Sequence, residues 1–285
     1  MLEFTFLSQT VTGGCVGQTI ACTNQKGGVG KTTTVVNLAT YLALLGDRVL
    51  VIDLDPQGNA TSGFGIDRRA VAGSVYDALV DGRPLNELHV ATPVAGVRLV
   101  PSSISLAGAE VELANIDGRE GCLGRALAGV RDDWDWVLVD CPPSLSLLTV
   151  NALAGCDSVL VPIQCEYYAL EGLTQLVSTI NLVRDSLNPD LAIAGVVLTM
   201  FDSRTNLSTE VADEVRRHLG EAVFKTVIPR SVRLSEAPSH GLPIALYRPE
   251  SKGAEAYAQL AGELCARRDG RNAPVTASSV RGAVA

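Results

Sequence analysis

Between a short apolar run, Thr19–Thr23, and a long helical stretch, Lys31–Leu45, the chain reads Asn24-Gln25-Lys26-Gly27-Gly28-Val29-Gly30-Lys31-Thr32-Thr33-Thr34. A glycine-rich turn running from a strand straight into a helix lets successive backbone N–H groups point inward at an anion. The helix N-terminus adds its partial positive charge. Lys31 is placed to reach β- and γ-phosphates, and the Thr32 hydroxyl to ligate Mg²⁺. The earlier glycines Gly13, Gly14 and Gly17 do not run from a strand into a helix and are expected to be part of a flexible end.

The remainder of the chain supplies the fold such a loop needs. Further strands are expected at Arg48–Asp53, Val97–Val100, Trp136–Asp140, Ser158–Ile163, Ile193–Met200 and Ala222–Ile228. Helices are expected at Gly121–Val130, Leu145–Leu153, Leu170–Leu187, Thr209–Leu219 and Ala254–Arg267. Several strands are continuous apolar runs, as in Val49-Leu50-Val51-Ile52, which fits parallel strands covered on both faces. The expectation is an α/β chain with a single doubly wound, mostly parallel sheet and helices on both faces. The boundaries expected are an extension at 1–17, one domain at 18–268 and a tail at 269–285. With 47% hydrophobic residues in 285, the chain is not of the disordered class, and no run approaches the length of a membrane span. No basic segment precedes an apolar run at the N-terminus, so no secretory signal is read there. Seven scattered cysteines suit a reducing compartment better than a disulfide framework.

Three carboxylates fall where phosphates would lie. Asp140 ends an apolar strand and emerges at the C-terminal edge of the sheet, where open α/β folds bind ligands. It is read as the acid that holds Mg²⁺ through water, with Ser144 rather than Asp140 as the cap of the following helix. Asp53 and Asp55 end another strand two residues apart, so both point to one face unless a bulge intervenes. Their spacing does not decide which of them attends the metal and which the water.

One position departs from the usual phosphate-loop pattern: Gln25 stands where the first glycine would be, and Lys26 follows at the loop's mouth. The string Lys26-Gly27-Gly28-Val29-Gly30-Lys31-Thr32-Thr33 resembles the deviant Walker A motif of the ParA/MinD family of P-loop NTPases. Within it, the chain is most similar to the ParA/Soj branch. That likeness continues through Asp53-Leu54-Asp55-Pro56-Gln57-Gly58-Asn59-Ala60-Thr61, Asp140-Cys141-Pro142-Pro143-Ser144, Gln164 to Leu173, and Ile228 to Gly241, over about residues 18–266. The resemblance implies a slow, partner-stimulated ATPase with ATP and Mg²⁺ as cofactors. It implies that Asp55 orients the attacking water while Asp53 supports the metal. Lys26 is implied to reach across a two-fold interface to the partner's nucleotide, and Gly27 to Thr33 together with Pro229 and Arg230 to line the nucleotide site. An ATP-dependent homodimer, non-specific duplex DNA and a ParB-like centromere-binding protein are the implied partners, at the nucleoid in the cytoplasm.

Charge bears on the DNA expectation. The formal net is −8, yet residues 1–199 carry 11 basic against 21 acidic side chains, and residues 200–285 carry 12 against 10. Arg204 and Arg233, with Lys252 beside them, match the branch's DNA-contacting positions; the competing reading of Arg204 is a salt bridge to Asp202. Other members of the superfamily fit less well. No Asn-Lys-x-Asp string marks guanine, and the segment from Arg267 onward lacks the bulky apolar face of a membrane-binding helix, as a MinD-like positioning ATPase would need. Cys22 and Cys141 form no C-x-x-C pair and read as core residues rather than cluster ligands. A metabolic enzyme of the same fold would need a second substrate pocket, for which no string stands out.

Overall fold

The computed structural model describes residues 17–166 and 169–270, and of residues 169–174 the backbone alone. Eight strands form one sheet: β1 (Gln18–Cys22), β2 (Val49–Asp53), β3 (Val90–Ala91), β4 (Val97–Val100), β5 (Trp136–Asp140), β6 (Ser158–Gln164), β7 (Ala192–Phe201) and β8 (Val223–Pro229). Their order across the sheet is β3-β4-β2-β5-β1-β6-β7-β8. Every pairing is parallel except the short β3 against β4. Helices in chain order are α1 (Lys31–Leu44), α2 (Asn59–Gly63), α3 (Val75–Val80), α4 (Leu85–Leu88), α5 (Leu106–Leu113), α6 (Cys122–Ala128) and α7 (Leu147–Gly155). They continue with α8 (Ala169–Ser186), α9 (Asn206–Leu219), α10 (Val232–Glu236), α11 (Ile244–Tyr247) and α12 (Lys252–Arg268).

Successive strand residues face opposite ways, so each buried strand feeds two cores. Ala21, Leu50, Ile52, Val137 and Val139 pack with α3, α5, α6, α7, α8 and α9 on one face. Ile20, Cys22, Val49, Val51, Trp136 and Leu138 pack with α1, α2, α10, α11 and α12 on the other. The doubly wound sheet read from the sequence is therefore the one observed. Strand β1 sits between β5, whose far side pairs with β2, and β6, which leads away through β7 to β8. This is the topological switch point, the crevice at which open α/β sheets bind ligands. The glycine-rich loop leaves β1 directly into it.

Two local expectations are corrected. Helix α7 takes Ser146 as its N-cap, not Ser144, whose carbonyl instead accepts the Thr149 hydroxyl at 2.7 Å. The helix expected from Thr209 begins at Asn206, because the Thr205 side chain accepts from the Ser208 N–H and caps it. Residues 1–16 and 271–285, with most of the expected extension and tail, and Tyr167 and Tyr168 of the family-like segment, lie outside the described residues.

Candidate functional site: a phosphate loop ringed by carboxylates

The loop is shaped by its glycines and clamped by buried polar side chains. Gly28 and Gly30 have φ of 75° and 91°, a region that side chains with a Cβ avoid. Asn24 Nδ2 donates to the Pro162 carbonyl on β6 at 2.8 Å, and its Oδ1 accepts the Lys26 N–H at 3.0 Å. On the far side the Thr199 hydroxyl donates to the Val29 carbonyl at 2.8 Å. Helix α1 closes its first turn with Thr34 N–H donating to Gly30 O at 2.8 Å. Neither Asn24 nor Thr199 was read as a site residue from the sequence, since each acts through a contact with a distant strand.

Lys31 is buried and curls back over the loop, its Nζ donating to the Lys26 carbonyl at 3.1 Å. Burial pulls its ammonium below the ordinary lysine value, while Cys22, Asp140 and Asp55 pull the other way. An incoming phosphate would add counter-charge that offsets the burial of Lys31.

The three carboxylates differ in their partners. Asp140, wholly buried, has neither carboxylate oxygen in a well-formed hydrogen bond among the described residues, although the Thr32 hydroxyl stands near enough to favour its ionised form. Burial first, then the neighbouring charge of Asp53, pushes its carboxyl well above the usual range, against the Thr32 hydroxyl and the Lys31 ammonium. Asp53 has partners: its Oδ2 accepts both the Thr61 N–H at 2.7 Å and the Thr61 hydroxyl at 2.6 Å, and its Oδ1 the Asp55 N–H at 3.3 Å. Burial nevertheless raises Asp53 to about 6. Asp55, also buried, follows two residues on, its Oδ1 accepting the Gln57 N–H at 2.9 Å, while Ser102 Oγ donates to its carbonyl at 2.7 Å. Both carboxylates are buried, but their partners differ: Asp53 is held by Thr61, and Asp55 accepts from the backbone of the turn that follows it.

No group of three His, Cys, Asp or Glu side chains among the described residues could hold a metal unaided. A Mg²⁺ ion suits this place all the same. An unbonded buried carboxylate, a hydroxyl donor at Thr32 and phosphate oxygens make an all-oxygen set of the kind Mg²⁺ takes. Asp140 and Thr32 are the residues that would hold it, with Asp53 bracing from behind.

Beside Gly30 and Thr33 opens a cavity of about 480 Å³ that is also lined by Met200, Pro229 and Arg230. Met200 has φ of 51°, alone among the described non-glycine residues in the left-handed region, so the backbone is strained where the cavity wall turns. A second cavity, of about 460 Å³, runs along Thr32, Asn37, Asn59 and Ser62 and shares Thr33 and Pro238 with the first. Pro229 and Arg230, expected in the nucleotide site, thus stand beside the loop.

The basic residues lie elsewhere, at the same edge of the sheet. Arg204, in the turn after β7, is 84% exposed and grips Asp202 through Nε at 2.9 Å and Nη2 at 2.7 Å, holding that carboxyl well below its usual range. The salt bridge weighed for Arg204 is therefore formed. Arg233, on α10, pairs with Glu236 at 2.7 Å. Exposed Lys252 opens α12, which lies against α10 through Gly253 and Leu234. Lys26 is paired with Glu166 at 3.2 Å.

Comparison with known proteins agrees with this geometry. A family described as "AAA domain" matches residues 17–193. The Bacillus subtilis sporulation initiation inhibitor protein Soj is 57% identical over 88% of this chain and 99% of its own. The chromosome partitioning protein ParA of Myxococcus xanthus is 54% identical over 88% of this chain and 89% of its own. Among solved structures, cobyrinic acid a,c-diamide synthase from Mycobacterium smegmatis, with a bound ATP analog and magnesium, superposes with a TM-score of 0.80. It is 39% identical and covers 92% of this chain and 99% of its own.

Proposed function

Because this chain belongs to the Soj/ParA family of chromosome-partitioning ATPases, we propose that it is an ATP-driven DNA-partitioning switch whose 18–268 domain closes into a two-fold sandwich around Mg²⁺-ATP. The observation that carries the reading is the unbonded Asp140 carboxylate beside Thr32 and Lys31, in a loop shaped for phosphate. In the proposed mechanism the N–H groups of residues 27–33 and the Lys31 ammonium hold the β- and γ-phosphates. Bound Mg²⁺ would supply neutralising charge on those oxygens. Asp55 orients the attacking water, and Asp53 keeps the acidic strand end in register through Thr61. Pro229 and Arg230 face the nucleoside from the adjoining cavity.

Lys26 extends from the loop's mouth to the nucleotide of the partner subunit. Like-charged phosphate faces meet only where cations lie between them, so the sandwich forms with the triphosphate and loosens when hydrolysis removes charge. Pairing two subunits also doubles the Arg204, Arg233 and Lys252 surface. The exposed arginines would exchange the carboxylates of Asp202 and Glu236 for DNA phosphates, so that a chain of net charge −8 holds a polyanion. Such contacts go to phosphates, so binding is independent of sequence. A ParB-like partner accelerates hydrolysis and releases the DNA, and the protein works on the nucleoid in the cytoplasm. No helix among the described residues is long and apolar enough to cross a membrane.

ATPase turnover with duplex DNA and a cognate centromere-binding protein, added separately and together, tests this. Stimulation greatest with both is expected. Stimulation by a small-molecule co-substrate instead would turn the reading toward a metabolic ligase, and indifference to DNA toward a protein-positioning ATPase.

A further inference from the structure

Two cations that the proposed function uses converge on one carboxylate outside the phosphate loop. Glu166 Oε2 accepts from Lys26 Nζ at 3.2 Å, while Oε1 accepts from Gln164 Nε2 at 2.6 Å and lies 3.6 Å from Arg230 Nη2. The convergence follows from strand order. Strand β6 stands beside β1, with β7 between it and β8. Its C-terminal end therefore emerges between the loop after β1 and the loop after β8. All three backbones are pinned: Asn24 to Pro162 at 2.8 Å, Cys165 N–H to the Thr199 carbonyl at 3.1 Å, and Arg230 N–H to the Phe201 carbonyl at 2.9 Å. Only the side chains are left to change partners.

We propose that Glu166 is a positioning residue that holds Lys26 and Arg230 on their own subunit, and that Lys26 must leave it before reaching a partner's nucleotide. The inference rests on the sandwich reading given above. One ammonium cannot serve both carboxylate and distant phosphate. At 3.2 Å from Glu166 it is committed to its own chain. The paired side chains are 39% and 43% exposed, so the bond has the modest strength of a surface ion pair. It yields to a triphosphate yet still sets a threshold. A two-fold sandwich opens two such pairs, so the effect enters the dimerisation constant squared. Exposed pairs of this kind bias an equilibrium up to about fivefold each, which makes about tenfold a fair expectation for the assembly.

Glu166→Gln keeps the side chain's shape and removes its charge. With the full chain, Mg²⁺ and a non-hydrolysable ATP analogue, sedimentation across protein concentrations should show dimer forming at about tenfold lower concentration than wild type. The gap should narrow as added salt screens the pair. Glu166→Asp, which keeps the charge, should fall between. Structural damage would weaken assembly, so the gain separates positioning from folding. A second readout needs no dimer: without nucleotide, acetylation of Lys26 by an amine-reactive ester, followed by mass spectrometry, should run several-fold faster in Glu166→Gln. Unchanged or weaker dimerisation with unchanged Lys26 reactivity overturns the proposal. Faster acetylation with no analogue-driven dimer in either protein would leave the pair real, overturn the sandwich reading, and with it the role given to Glu166.

Discussion

Asp140→Asn preserves the outline of a wholly buried side chain and deletes the charge that the site keeps without a hydrogen bond. A buried polar group left unbonded costs about 1–3 kcal/mol, and a charged one more. Exchanging carboxylate for neutral amide is therefore expected to return about 1–2 kcal/mol, the amide itself lacking full partners. In a chain of this size that raises Tm by about 2–6 °C. The sign depends on pH in a defined way. Because folding raises this carboxyl well above its ordinary 3.8, the folded state binds a proton that the unfolded chain releases. The cost is absent below the unfolded value and grows as pH rises above it. The stability gap between variant and wild type should accordingly shrink as pH falls towards the unfolded value of 3.8. The same substitution should abolish the part of the ADP-induced Tm rise that depends on Mg²⁺, since the carboxylate was kept for that ion. Thermal melts at several pH values, with and without Mg²⁺ and ADP, read both effects. A variant that melts lower than wild type at pH 7 and still gains stability from Mg²⁺ would refute the assignment and make Asp140 a packing residue.

Lys31→Ala should abolish nucleotide binding, because the loop loses the ammonium aimed at the β- and γ-phosphates; unchanged affinity in a titration with a fluorescent ATP analogue would contradict this. Asp55→Ala should bind ATP and dimerise while turnover falls about 100-fold or more, as expected when a water-positioning group is lost. If it fails to bind ATP instead, Asp55 is a binding residue and Asp53 the better candidate for the water. Arg204→Glu and Arg233→Glu should weaken retention of all duplexes alike and flatten the salt slope by about 0.9 for each phosphate no longer neutralised, with analogue-driven dimerisation intact. Full retention by both variants across a salt series would move the DNA surface elsewhere.

The central sheet was legible because its strands are buried on both faces and read as unbroken β-branched and aliphatic runs, Val49–Asp53 and Trp136–Asp140 most plainly. The segment from Asn59 to Gly121 was not, apart from β4. Its helices α2 to α5 are four to eight residues long, too short for an amphipathic period to declare itself. Thr205 outcompeted the expected later start of α9 because a side-chain cap is decided by local geometry over three residues. The phosphate loop, Lys31, Thr32 and Asp140 were visible as a string with a mechanism. The different partners of Asp53 and Asp55 were not, since they hang on Thr61 and Ser102, which reach the strand end only after the chain has turned. Glu166 stands in a family-like string, but its pairing was not legible for a plainer reason: its partner Lys26 lies 140 residues away in sequence, and strand order brings them together.

Lys26 most directly decides whether this loop builds a sandwich or merely a nucleotide site. Light scattering on wild type and Lys26→Gln, each with Mg²⁺ and a non-hydrolysable ATP analogue at a concentration shown by titration to saturate both, measures the step itself. The wild-type mass should double while Lys26→Gln, fully loaded, stays monomeric. A loaded Lys26→Gln that dimerises as wild type does would contradict the cross-subunit role and the switch built on it.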